Sequence, residues 1–321
     1  MNIAAWLLDS DPAIRWQVMR DITNEPESLV NAERARVAVE GWGARLISLQ
    51  GEDGLWAGGA HFPSSFSWAD VERGEDGRMV AQPWTATSWS LSLLRTFGLD
   101  PDSPPARRSV ALVRENARWE HDGQRFFDGE VEPCINGLTV AIGSYFGEDV
   151  SGIVDRLIGE QMDDGGWNCE QETGSTRGSF HTTIAVLEGL LAHQERSGPL
   201  PAVTDARANG EEYLLERRMF RRLSDGEVID PKWLKFSFPT WWHYDVLRGL
   251  DYLANAGVTP DERMHEALGL VQDSRLPDGR WSRQVLAGDV HFEIDGAEGE
   301  PSRWNTLRAL RVLRWAGRDA G

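Results

Sequence analysis

Residues 161–167 read QMDDGGW, and the Asp-Gly-x-Trp pattern within them occurs three times: DGLW from Asp53, DGGW from Asp164 and DGRW from Asp278. Weaker relatives are DGQRF from Asp122 and DGEV from Asp225. Asp-Gly is turn chemistry, because glycine adopts a positive φ without strain. A turn that recurs between helix-like segments is the mark of a repeat architecture.

The flanking segments read as helices. Residues 9–22 (DSDPAIRWQVMRDI) open with a capping aspartate and a first-turn proline. Residues 33–50, 84–98, 106–119, 135–147 and 151–162 place apolar residues at helical spacing, as do 180–194, 206–220, 242–257, 262–272 and 302–317. Strand-like alternation is scarce, so the pattern predicts about eleven helices and no sizeable sheet.

Successive helices differ in kind. Those beginning near Trp84, His181, Trp241 and Arg303 carry few charges, and the last three share a small-residue seam: LEGL, LRGL and LRAL. Residues 206–220 are heavily charged on one face. An inner ring packed on all sides within an outer ring facing water produces that contrast. The expectation is an all-α fold, a single α/α-toroid domain over residues 1–321. It is expected to close on itself, since no polar terminal cap stands out, and to be one domain, since no Pro/Gly/Ser-rich linker divides it. Residues 70–79 (DVERGEDGRM) read as an exposed loop.

Composition narrows the functional classes. With 40% apolar and 26% charged residues, 321 residues bury a core without disulfide staples. The net charge of −18, from 33 basic and 51 acidic residues, disfavours nucleic acid or an anionic membrane as partner. No run approaches the roughly 18 apolar residues of a spanning helix, so no integral membrane segment is expected. The N-terminus has no basic leader and reaches Asp9 after a short apolar run, unlike a signal peptide. Two cysteines in such a chain read as reduced thiols in the cytoplasm. No protein partner can be named.

The repeat, with Gln161 to Trp167 followed by an inner helix, resembles that of the α/α-toroid superfamily of squalene–hopene cyclases, related terpene cyclases and protein prenyltransferase β subunits. The likeness covers nearly the whole chain. It implies the toroid fold, but not one function, because such toroids include catalysts and binding domains. Prenyltransferase β subunits carry an Asp-x-Cys pair, a Gly-Gly turn and a His-Thr that opens an inner helix, and these bind zinc. Here Glu132-x-Cys134, the DGGW turn and His181 follow in that order, with glutamate in place of aspartate. The run before the pair (HDGQRFFDGEVEPC) is mostly acidic, unlike the basic residues with which that family holds diphosphate.

Cys169 enters on the residues themselves. Thiolates and imidazoles are the donors zinc prefers. Cys134, Cys169 and His181 lie at helix starts and turns, not on an apolar mid-helix face. Taken singly, cysteines more often pack as small hydrophobes; the repeat phase and the family-like order weigh for a metal. The expected zinc ligands are Cys134, Cys169 and His181, with Glu132 or His243 as a fourth and Asp245 behind them. Zinc there would act as a Lewis acid or activate a thiol or water. His243, Tyr244 and Asp245 are the candidate catalytic residues. Trp84, Trp167, Phe180, Trp241, Trp242 and Trp304, with Arg303, are the candidate substrate-binding residues, since an aromatic cavity holds an apolar ligand.

The expected activity is zinc-dependent chemistry, prenyltransferase-like or terpene cyclase-like, on a hydrophobic, isoprenoid-like small molecule. Two alternatives stay open. One is a metal-free cyclase using an unusual acid such as Asp164, Asp245 or Asp295, since the cyclases' Asp-x-Asp-Asp motif is absent. The other is a noncatalytic binding toroid with structural zinc. A C-terminal group of His291, Glu293, Asp295 and Arg303 reads either as acid/base machinery or as a capped acidic loop.

Overall fold

Helices form nearly all the regular structure in the computed structural model, which describes residues 2–73 and 81–318. Most of the loop expected at 70–79 lies outside these residues. The first helices are α1 (Ile3–Leu8), α2 (Pro12–Asp21), α3 (Glu27–Ala35), α4 (Gly41–Ile47) and α5 (Thr87–Phe97). Next come α6 (Pro104–Asn116), α7 (Pro133–Phe146), α8 (Ser151–Gly159) and α9 (Phe180–Ser197). Last are α10 (Pro201–Glu216), α11 (Val246–Asn255), α12 (His265–Asp273) and α13 (Arg303–Trp315). Sheet structure among the described residues is limited to β1 (Trp281–Ser282) paired antiparallel with β2 (Pro301–Ser302). The chain is all-α, and no described helix is long and apolar enough to cross a membrane.

One segment departs from its pattern. Residues 33–50 read as one helix but divide into the end of α3, a 3-10 turn (Arg36–Ala38) and α4. Gly41 sits at φ +63, and the next amide, Trp42 N–H, donates to Asp11 Oδ2 at 2.8 Å. A Cβ at Gly41 would lie 2.0 Å from that carboxylate oxygen. Docking on the start of α2 thus overrides the local helical periodicity.

The three Asp-Gly-x-Trp turns are built alike. Gly54, Gly165 and Gly279 take φ of +84, +82 and +87. The indole N–H groups of Trp56, Trp167 and Trp281 donate ten residues back, to the carbonyls of Leu46, Leu157 and Val271, at 2.8, 2.7 and 2.7 Å. Their backbone N–H groups donate to the hydroxyls of Thr87, Thr183 and Thr306 at 3.2, 3.0 and 3.1 Å. Gln50 and Gln161 donate to the carbonyls of Gly54 and Gly165, both at 2.8 Å, and Arg275 Nε replaces them at Gly279, at 3.0 Å. Each turn therefore ties one helix (α4, α8 or α12) to the start of the next (α5, α9 or α13). Each tryptophan is fully buried with its polar atom satisfied, as an interior indole requires.

Helix contacts run in a circuit: α2 to α5, α5 to α7, α7 to α9, α9 to α11, α11 to α13, and α13 back to α2. The other helices pack on it, α3 and α4 on α2, α6 and α8 on α7, α10 on α9, and α12 on α11 and α13. The tightest approach joins α7 and α9. A Cβ at Gly137 would lie 2.5 Å from the Ala185 carbonyl, and one at Gly189 2.4 Å from the Gly137 carbonyl. Glycine allows the two backbones to touch there. The Arg311–Asp21 ion pair at 2.6 Å, with hydrogen bonds from Arg314 to the Asp21 and Ile22 carbonyls, joins the two ends of the circuit.

Candidate metal centre

A cavity of about 2000 Å³ is lined by residues of α2, α5, α7, α9, α11 and α13 and by the loops beside them. None of its lining comes from α3, α4, α6, α8, α10 or α12. The part of this lining that comes from the first turns of α7, α9, α11 and α13 and from the segments preceding α5 and α11 is termed its rim.

Glu132, Cys134 and Cys169 converge at this rim, each offering a ligand atom within 4.8 Å of the others. Glu132 is the residue before α7 and Cys134 the second residue of that helix, after a first-turn proline. Cys169 follows the second Asp-Gly-x-Trp turn, so the repeat itself delivers it. The two sulfur atoms lie 2.9 Å apart, Cys134 donates to Glu132 Oε2 at 3.4 Å, and Thr182 Oγ1 is 3.4 Å from Cys169 Sγ. Contact with the Cys169 thiol, then burial and the Glu132 charge, push the Cys134 thiol well above its ordinary range. Two soft thiolates and one carboxylate suit zinc, which binds thiolate at about 2.3 Å and carboxylate at about 2.0–2.2 Å. Three protein donors also leave a coordination position open, as catalytic zinc sites do.

His181 is not one of the three converging residues. Its Nδ1 accepts from Tyr244 N–H at 2.8 Å, and its ring stands edge-on to Trp242 and Trp233. A neutral ring that accepts at Nδ1 carries its proton on Nε2, so in this arrangement His181 has no lone pair to offer a metal. The structure brings together three of the expected donors and gives the imidazole a tether instead. His243 lines the same rim, stacked on Trp242 with ring centroids 3.7 Å apart.

The candidate acid/base residues beside it have structural engagements. Tyr244 is 2% exposed and donates its hydroxyl to the Met219 carbonyl at 2.6 Å. Burial raises the phenol well above its ordinary range, so it serves as a tether. Asp245 caps α11: Oδ1 accepts from Arg248 N–H at 2.8 Å and Oδ2 from Ser237 N–H at 3.0 Å. Burial raises its carboxyl against the pull of Arg308 and those amides. The other acids weighed for a cyclase lie outside the cavity lining. Asp164 accepts from Gly166 and Gly178 N–H and pairs with Arg217; Asp295 accepts from Ser302 and from Arg303 N–H at the start of α13.

The expected substrate-binding set divides. Trp84, Trp241, Trp242 and Trp304 line the cavity. Trp84 stacks on Trp241 at 5.1 Å, and Trp89 stands edge-on to both. Trp167, Phe180 and Arg303 do not line it. Trp167 locks its turn, and Phe180 packs on Tyr213, Trp233 and Tyr244. Arg303 donates to the Trp6 and Asp9 carbonyls and lies over the Trp6 ring. In the C-terminal group, His291 contacts Ser90 Oγ at 3.1 Å and Glu293 pairs with Arg283.

Sequence reasoning missed a charged belt deeper in the wall. Arg248 binds Glu188 with two hydrogen bonds, at 2.8 and 2.7 Å, and donates to the carbonyls of Trp241 and His243 at 3.0 and 2.8 Å. It thereby clamps the aromatic rim segment to α9 and α11. Burial alone would raise the Glu188 carboxyl, but Arg248 holds it below its ordinary range. Arg308 lies 3.3 Å from Asp251. The signal was present: Glu188, Arg248 and Arg308 each occupy the second place of the seams LEGL, LRGL and LRAL. No protein-family model matches this chain, and no curated protein matches it significantly.

Proposed function

We propose that this chain is a zinc-dependent enzyme of α/α-toroid architecture, prenyltransferase-like or terpene cyclase-like, acting on a hydrophobic, isoprenoid-like small molecule in its central cavity. The observation that carries the reading is the convergence of Glu132, Cys134 and Cys169 on the rim of that cavity, beside a cluster of indoles. The circuit of six helices supports the toroid. The thiol pair favours zinc over hard, oxygen-seeking cations, and suits a reducing compartment such as the cytoplasm.

Zinc bound there would supply Lewis acidity at the cavity mouth. The protein's own residues do the rest. Cys134, protonated while its neighbours crowd it, must give up a proton to bind a cation, so affinity rises with pH. Trp84, Trp89 and Trp241 bound the apolar part of the chamber and exclude water from it. The Arg248 clamp and the Tyr244 N–H fix the rings of Trp242, His243 and His181 around the mouth.

Elemental analysis of untagged protein tests this. About one zinc per chain is expected in the wild type, lost in Cys134→Ala and Cys169→Ala and weakened in Glu132→Gln. Wild-type protein that holds no metal after anaerobic purification with added zinc would refute the reading.

A further inference from the structure

The cavity has a second end, and its chemistry differs from that of the rim. Each of three arginines on its wall faces an acid: Arg248 faces Glu188, Arg308 faces Asp251 and Arg311 faces Asp21. Arg95, half-buried about two turns into α5, lines the same wall. Among the described residues no carboxylate oxygen comes within 4.0 Å of it, and no acceptor takes a hydrogen bond from its guanidinium. Glu188, an acid on that wall, is engaged on both oxygens by Arg248. Glu195, another lining carboxylate, is exposed to solvent.

The position of Arg95 follows from the end of α5 that carries it. Just past that end, the Leu99 carbonyl accepts from the Tyr145 hydroxyl at 2.8 Å, and Arg34 donates to both the Gly98 carbonyl and the Tyr145 hydroxyl, Tyr145 lying in the last turn of α7. Tyr145 is roughly three turns, or about 16 Å, along that helix from Cys134. One end of the chamber is therefore aromatic and sulfur-bearing, and the other holds a half-buried cation with five donors and, among the described residues, no protein acceptor.

We propose that the cavity binds an amphipathic monoanion, its anionic group on Arg95 and its apolar body against the indoles of the rim. A guanidinium in a partly dry wall binds carboxylate or phosphate more strongly than one in open water. The apolar end supplies the hydrophobic contact. The ligand is thus not a plain hydrocarbon. This inference rests on the cavity being a ligand chamber, and not on the metal.

The test uses two dyes with the same apolar body, anilinonaphthalene sulfonate and its neutral parent phenylnaphthylamine, titrated by fluorescence. Wild-type protein is expected to bind both. Arg95→Leu should weaken the sulfonate at least about 10-fold, the effect of losing one charge-assisted hydrogen bond, and leave the neutral dye unchanged. Arg95→Lys should recover much of the loss. Displacement of the sulfonate by decanoate identifies a carboxylate ligand, and displacement by decyl phosphate a phosphate. Displacement by neither overturns the proposal, as does equal sulfonate affinity in wild type and Arg95→Leu while the neutral dye still binds; the chamber reading then survives. Failure of wild type to bind either dye overturns both.

Discussion

Replacing Arg248 with methionine leaves the Glu188 carboxylate on the cavity wall without its counter-ion and frees the carbonyls of Trp241 and His243. Breaking a buried pair by removing one partner costs about 3–5 kcal/mol. Glu188 keeps 28% of its side chain accessible to water from the cavity, so the lower end, about 3 kcal/mol, applies. For a chain of 321 residues, an unfolding entropy of about 2.1 cal/mol/K per residue converts this to a fall in Tm of about 4–5 °C. The double variant Glu188→Gln with Arg248→Met should recover at least about 1 kcal/mol, because the stranded charge is gone. The pH dependence has a definite sign. The folded carboxyl lies below its ordinary range, so the pair's contribution is complete above the unfolded pKa and disappears as pH falls through the folded one. Calorimetry should show the gap between wild type and Arg248→Met narrowing as the pH falls below about 5. Equal melting of the single and double variants, or a gap independent of pH, would refute the clamp.

Two further changes probe the turn and the tether. Gly165→Ala places a Cβ 2.5 Å from the Asn209 carbonyl at a φ of +82. It should lose about 1–3 kcal/mol, whereas Gly152→Ala, in open space within α8, should be neutral or stabilising; an unchanged denaturation midpoint for Gly165→Ala contradicts the turn's role. Tyr244→Phe strands the Met219 carbonyl and should cost about 1–2 kcal/mol with zinc content unchanged. Loss of metal in that variant would tie Tyr244 to the metal-binding residues.

Much of the candidate metal centre was legible because its residues lie at a helix start and beside a repeat turn. Glu132 and Cys134 sit at the start of α7, and Cys169 follows a turn whose form the sequence declares three times. His181 was assigned by order along the chain, and order does not say which way an imidazole turns. The Tyr244 N–H, 63 residues away, settles that. Trp167 and Phe180 were read with the cavity because they lie near the start of α9. The locked turn holds Trp167 on Leu157 of α8, and the face of α9 on which Phe180 lies turns it toward Tyr213 of α10.

Sequence by itself determined the helical class, the three locked turns and the pairing of apolar with charged helices, because each depends on contacts within some tens of residues. Residues 33–50 mark the limit: their periodicity is helical, yet Asp11 breaks them at Gly41. Only tertiary structure decided that α13 returns to α2, that three donors meet where four were expected, and that a charged belt lines the cavity wall. These depend on residues distant in the chain, such as Glu188 with Arg248, whose charges look like surface charges until packing removes the water between them.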